Sequence, residues 1–165
     1  MLEGKWSERG YVRRAVKRNR SALAQASDEL RDDREIVLEA VREWGRVLEY
    51  ASERLCADRD VVLEAVRRWP ADLRYASETL RADRDVVLEA VSRVGFALQY
   101  AADALRGDRG VVLEALKSHP EMLLDTPEEF RAEVLKLLNS NEEILQFASE
   151  ELQNDQELID MAKNK

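Results

Sequence analysis

The chain has little of what most small functional sites are built from: one cysteine, Cys56, one histidine, His119, three prolines and six glycines in 165 residues. A single cysteine excludes an internal disulfide framework, and one histidine leaves few ligands for a metal cluster. So little Gly and Pro gives too few turn formers for an all-β fold. No apolar run approaches the roughly 18 residues of a membrane span, which predicts a soluble chain without membrane contact. The opening MLEGKWSERG has no apolar stretch and carries acids early, unlike a secretory signal or a transit peptide. The expected setting is intracellular and reducing. GxGxxG, Walker, HExxH and EF-hand patterns are all missing, so no cofactor or metal site is expected and the chain reads as a non-enzyme.

What is present is apolar residues at 45%, charged residues at 36% and a net charge of −8. That is too apolar for a disordered chain. The charge is uneven: residues 1–31 hold eight Lys or Arg against four acids, so the rest of the chain is strongly acidic. An acidic body disfavours general polyanion binding, since phosphate contacts need positive charge to release counterions.

The main signal is a repeat of 25 residues. DREIVLEAVREWGRVLEYASERLCA (33–57) is followed by DRDVVLEAVRRWPADLRYASETLRA (58–82), DRDVVLEAVSRVGFALQYAADALRG (83–107) and DRGVVLEALKSHPEMLLDTPEEFRA (108–132). Residues 8–32 keep the frame with weaker matches, 133–154 keep the second half of a unit, and 155–165 begin a last one. Self-similarity of this kind means stacked units, each burying its apolar face against its neighbours.

Numbered from the Asp, positions 4, 5, 8, 9 and 12 are apolar, as in Val61, Val62, Ala65, Val66 and Trp69. At helical pitch they share an arc of about 140°. The leading Asp suits an N-cap. Gly45, Pro70, Gly95 and Pro120 stop this helix, Gly by supplying a left-handed residue and Pro by ending the ladder. Positions 16, 19, 20 and 23, as in Leu73, Ala76, Ser77 and Leu80, predict a second, narrower helix whose Ala-Ser pair permits close contact. Each unit reads as an αα-hairpin and the whole as an all-α solenoid, one repeat domain over 1–165.

The wording D-R-E/D-V-V-L-E-A-V…ALQYAS-E-x-L-R-x-D resembles the short helical repeats catalogued as a domain of unknown function, the four-one-one-six family. The resemblance covers nearly all of residues 8–165 and is strongest across 33–107. It implies the repeat fold and brings no reaction or catalytic residue with it.

Two stretches depart from the pattern. Unit one has Arg13 and Arg14 where later units have Leu and Glu. Near residue 133 the D-R-D opener is missing, and Thr126-Pro127-Glu128-Glu129 has the spacing of a helix start. One helix is expected over about 127–138, part of a divergent C-terminal cap. Lys replaces Arg there: residues 1–115 carry nineteen Arg and two Lys, residues 116–165 one Arg and four Lys.

His119 stands in the slot of Trp44 and Trp69 and is expected to pack at a turn, because a triad needs an oriented base and an oxyanion hole too. Cys56 stands where other units have Arg31, Arg81 and Arg106, a partly exposed helix end. Glu39, Glu64, Glu89 and Glu114 form a ladder at position 7, read as a solvated face paired with Arg42, Arg67 and Lys117 three residues on. Arg9, Arg34, Arg59, Arg84 and Arg109 repeat at position 2, with Asp28, Glu53, Glu78 and Asp103 as expected partners between units. Tyr50, Tyr75, Tyr100 and Phe147 recur at position 18, either as exposed anchors or as spacers covered by the next unit.

Positions 14 and 17 vary from unit to unit, which suits a surface where specificity is written. The functional expectation is a monomeric scaffold or adaptor that binds another protein through the turn-side edge, with Arg46, Tyr50, Asp72, Arg74, Tyr75, Phe96 and Tyr100 as contact residues. A first alternative is an acidic partner or nucleic acid held by the basic patch Arg13, Arg14, Lys17, Arg18 and Arg20; the plainer reading of that patch is a solubilising end cap. A second alternative is a small-molecule or enzymatic role without a recognisable motif.

Overall fold

The protein is described from a computed structural model, which covers residues 3–119 and Met122. Among these residues every regular element is helical. A 3-10 turn, Glu3–Ser7, precedes α1 (Arg9–Val16), α2 (Ala22–Gln25) and α3 (Asp28–Arg31). The next unit has α4 (Arg34–Glu43), a 3-10 turn Leu48–Tyr50 and α5 (Glu53–Cys56). Then come α6 (Arg59–Arg68), a 3-10 turn Pro70–Tyr75 and α7 (Glu78–Arg81), followed by α8 (Arg84–Val91), a 3-10 turn Gly95–Tyr100 and α9 (Asp103–Arg106). Helix α10 (Arg109–Ser118) opens the fifth unit. The long helices stack in order, α1 on α4, α4 on α6, α6 on α8 and α8 on α10. The rest of the fifth unit apart from Met122, the stretches 133–154 and 155–165, the helix expected over 127–138 and Phe147 lie outside the described residues.

The leading aspartates are caps that also join the units. Asp58 accepts the N–H groups of Asp60 and Val61 at 3.0 and 3.1 Å, and Asp33 and Asp83 do the same for their helices. The second oxygen of each carboxylate takes the position-2 arginine of the unit before: Arg9 on Asp33 at 2.6 Å, Arg34 on Asp58 at 3.2 Å, Arg59 on Asp83 at 2.9 Å. The same arginines reach on to Glu35, Asp60 and Asp85. Hydrogen bonds from Arg9 and Arg59 hold the Asp33 and Asp83 carboxyls below their ordinary pKa. Arg9, Arg34, Arg59 and Arg84 thus pair with caps and not with the expected acids at position 21; Asp28 and Asp103 pair within their own short helices with Arg31 and Arg106. The cap is closer than the position-21 acid because adjacent long helices start side by side.

Positions 4, 5, 8 and 9 form the continuous core. Ile36, Val37, Ala40 and Val41 are fully buried, as are their equivalents in α6 and α8. Leu23, Leu48, Leu73 and Leu98 close it from the turn side, with Leu30, Leu55 and Leu80 below. Position 12 is not part of it. Trp69 is 42% exposed and Trp44 half-buried. Their indole N–H groups donate to Val16 O and Val41 O of the preceding unit at 2.8 and 3.3 Å, satisfying carbonyls left open near the helix end.

The second helix expected in each unit is broken in two. Ala76 and Ser77 are extended, with ψ of 153° and 158°. The Ser77 hydroxyl caps α7 by accepting Leu80 N–H at 3.3 Å, and Ser52 does so for α5 at 3.2 Å. The freed backbone N–H crosses to the previous unit: Ser27 to Trp6 O, Ser52 to Arg31 O, Ser77 to Cys56 O and Ala102 to Arg81 O, at 2.8–3.0 Å. The break recurs at Ser27, which makes no side-chain cap bond, and at Ala102, which has no hydroxyl, so the crossing backbone bond to the previous unit is its common feature and the Ser52 and Ser77 caps add to it.

The glycines also act differently from expectation. Among the described residues no glycine has positive φ; Arg46, at 64°, is the left-handed one. Gly45 and Gly95 are needed for close approach. A Cβ at Gly45 would lie 3.0 Å from the Trp69 ring, and one at Gly95 only 2.3 Å from Ala115 O.

Candidate partner-binding surface

The turn-side edge is formed by the 3-10 segments and the short helices after them. Tyr50, Tyr75 and Tyr100 recur along it, each half-buried. Each ring is thus partly packed against the core and partly open to solvent, between the expected exposed anchor and covered spacer. The Arg74 guanidinium bridges two of them, 5.0 Å from the Tyr75 ring and 5.7 Å from that of Tyr100. Arg46 Nε donates to the Tyr75 hydroxyl at 3.1 Å, and that hydroxyl donates to Glu49 at 3.2 Å. Phe96 is 41% exposed and stands edge-on to His119, ring centroids 5.0 Å apart. His119 packs at the turn, its Nδ1 accepting the Gly95 N–H at 3.0 Å.

Asp72 does not belong to this surface. It is 1% exposed, and both its oxygens receive the Arg46 N–H, at 2.8 and 2.9 Å. Burial pushes its carboxyl up to about 6, against the opposing bonds from the Arg46 and Val47 N–H groups. Its role is to hold the left-handed turn of the unit before. The signal was in the sequence: position 15 reads Ala22, Val47, Asp72, Ala97 and Met122, one carboxylate in an apolar column.

The basic patch divides. Arg13 and Lys17 are committed to Glu39 of the next unit. Arg14 and Arg18 face the other way and line an open cleft of about 330 Å³ with Trp6, Tyr11 and Asn19. Trp6 and Tyr11 meet edge to face at 5.1 Å, with Lys5 over the Tyr11 ring. Arg20 is exposed on the turn that follows.

The glutamate ladder is a junction more than a solvated face. Arg42 reaches Glu64 and Arg67 reaches Glu89, each on the following unit, at 3.9 and 3.6 Å. Arg68 and Arg93 reach the same two glutamates from within their own helix or its end, at 3.2 and 3.1 Å. Only Lys117 pairs three residues back, with Glu114 at 2.7 Å.

Sequence reasoning missed a second cleft on the turn side, about 620 Å³ and open to solvent. It is lined by Leu48, Glu49, Glu53, Cys56, Tyr75 and Glu78 among others. Cys56 donates its thiol to Leu48 O at 3.3 Å, and burial together with the Glu53 charge pushes that thiol up. This is the reverse of an activated nucleophile. Among the described residues no group of three or more His, Cys, Asp or Glu side chains is placed to hold a metal ion, and no helix is long and apolar enough to cross a membrane.

No curated protein and no solved structure matches the chain. The family model described as Domain of unknown function (DUF4116) matches it four times, over residues 9–56, 33–81, 58–106 and 83–131. Each match takes in about two of the 25-residue units and begins about one unit after the last. With matches running through well over half its length, the chain belongs to the DUF4116 family of helical repeats.

Proposed function

We propose that the protein is a non-enzymatic scaffold or adaptor that binds another protein along its turn-side edge. The observation that supports this most is the row Tyr50, Tyr75 and Tyr100, held in register by the repeat and flanked by residues that differ between units: Arg46, Arg74 and the exposed Phe96. Half-buried tyrosines keep a fixed orientation, so they supply contact area at little entropic cost on binding. Their varied neighbours supply discrimination. The long-helix side offers mainly ion pairs already closed between units, which add little to a new contact.

The test is retention of a partner from the native source on the full chain and on variants. Phe96→Ala and Tyr75→Ala are expected to reduce retention about tenfold or more, with helicity and melting temperature nearly unchanged. Glu64→Gln, on the other side, is expected to leave retention intact. Equal retention by all four proteins would overturn the assignment of this face.

The cleft at Trp6, Tyr11, Arg14 and Arg18 favours a second reading, an acidic partner or nucleic acid held at the N-terminal end. Aromatic rings beside two arginines that have no acidic partner among the described residues suit an anionic ligand. Binding of a single-stranded oligonucleotide that weakens steeply with salt and is lost in Arg14→Glu would promote this reading over the first.

A further inference from the structure

Position 24 is arginine in four units, Arg31, Arg81, Arg106 and Arg131, and cysteine in one, Cys56. The backbone there is the same at each junction: the carbonyls of Arg31, Cys56 and Arg81 all accept the position-20 N–H of the next unit. Arg31 and Arg81 are half-buried at this position, with their Nε atoms out of contact with solvent. Cys56 is too short to fill that space, and the 620 Å³ cleft opens where the arginine stem would run.

The vacancy keeps the chemistry of its missing occupant. Arg31 and Arg106 pair with Asp28 and Asp103, the acids three residues before them. Glu53 holds that place in the second unit and, among the described residues, has no ion-pair partner. Glu78, across the cleft, has none either. The Tyr75 ring forms one wall, and Ala51 gives an apolar patch beside it; Leu48, also at the lining, is almost fully buried.

A second gap in the repeat makes a useful contrast. Ser92 stands where Arg42, Arg67 and Lys117 stand in other units, beside a shallower cleft lined by Asp85, Glu89 and Glu114. There Glu89 and Glu114 are already paired, with Arg67, Arg93 and Lys117.

We propose that the cleft between the second and third units receives an arginine side chain from the partner protein, in the place that the chain's own arginine occupies at neighbouring junctions. The guanidinium lies between Glu53 and Glu78 and stacks on the face of Tyr75 that Arg74 leaves open, and its stem lies along Ala51. Arginine suits this better than lysine, since a planar fork can pair with carboxylate and stack on a ring together. The proposal deepens the protein-binding reading and rests on it.

The test uses the full isotope-labelled chain, titrated by NMR with acetyl-Ala-Arg-Ala-amide and with its Gln counterpart. Saturable shifts are expected for the arginine peptide alone, centred on residues 48–56 and 75–78. Cys56→Ala keeps the cleft open and is expected to bind like the native chain. Cys56→Arg fills it, and Glu53→Gln with Glu78→Gln removes its charge; each is expected to weaken binding about tenfold or more. The double glutamine variant changes only exposed side chains, so it answers the question even if Cys56→Arg folds poorly. The proposal is overturned if no saturable shift appears, if shifts centre equally on residues 85–92, or if the filled and neutralised variants bind like the native chain. Partner retention with Phe96→Ala and Tyr75→Ala is read separately. An empty cleft with face-dependent retention defeats the arginine and spares the scaffold, whereas peptide binding with face-independent retention defeats the scaffold.

Discussion

Replacing Asp72 by Asn should change the way stability depends on pH. Asp72 is buried, accepts the Arg46 N–H with both oxygens, and has its carboxyl pushed up to about 6 from an ordinary 3.8. Because the folded value is the higher one, the folded chain holds this proton more tightly than the unfolded chain between the two. Its contribution is therefore complete below about pH 4 and is lost as pH rises through about 6. A difference of about two units amounts to about 3 kcal/mol. Asn retains one acceptor for the turn and never ionises. It brings a constant offset from the weaker bond but no slope. Urea denaturation of both proteins from pH 4 to 8 measures the difference directly, and other carboxylates cancel in it. The Asn variant should gain on the native chain by up to about 3 kcal/mol across that range, levelling off near pH 7. A flat difference, or one of opposite sign, would refute the claim that desolvation outweighs the two backbone hydrogen bonds at this site.

Two further substitutions test the junctions. Gly95→Ala would place a methyl group against Ala115 O of the next unit, and an overpacked contact of this kind costs about 1–3 kcal/mol; Gly107→Ala, with nothing nearer than 3.9 Å, should be close to neutral in the same thermal melt. Asp83→Ala removes both the cap of α8 and the partner of Arg59 and should cost about 1 kcal/mol or more from the lost cap alone. Arg59→Ala should cost less, and its effect should shrink in high salt while the cap effect persists.

The fold was legible because its strongest determinants repeat. Four buried positions at helical spacing and an aspartate cap recur every 25 residues, so neighbouring units confirm one another within a single chain. What could not be read were features set by the distance between units. Trp69 looks apolar in a periodicity plot, yet its ring lies at the edge and its N–H closes a carbonyl of the helix before. Ser77 looks like a small residue in a helix stripe, yet its backbone N–H crosses to Cys56 O of the unit before and the helix breaks there, as it does at Ala102 without a hydroxyl. Arg59 was expected to pair between units with an acid at position 21 and pairs instead with Asp83 and Asp85, because helix stacking decides which acid is near. At the candidate surface, the tyrosine row was legible from spacing, whereas the buried Asp72 and the opening beside Cys56 emerge only when columns of equivalent positions are compared with the packing around them.

The ion pairs between units have a direction. Arginines at position 2 and cations at position 10 point toward the next unit, which answers with acids at positions 1, 3 and 7, as Arg59 with Asp83 and Asp85 and Arg67 with Glu89 show. Each unit thus offers an acidic side to the one before it and a basic side to the one after. Unit one keeps the second habit, since Arg9, Arg13 and Lys17 all point forward. It breaks the first: Arg14 stands where the later units carry Glu39, Glu64, Glu89 and Glu114, and Gly10 where the next three carry Glu35, Asp60 and Asp85. The 3-10 turn Glu3–Ser7 lies on that side, its Trp6 carbonyl taking the Ser27 N–H just as Arg31, Cys56 and Arg81 take theirs. Another unit of the same kind docking there would set its position-10 cation against Arg14, and like charges at contact distance oppose it. The basic patch of the sequence therefore divides in the fold: Arg13 and Lys17 join Arg9 in bracing the first junction, and Arg14 reverses the charge of the face behind it.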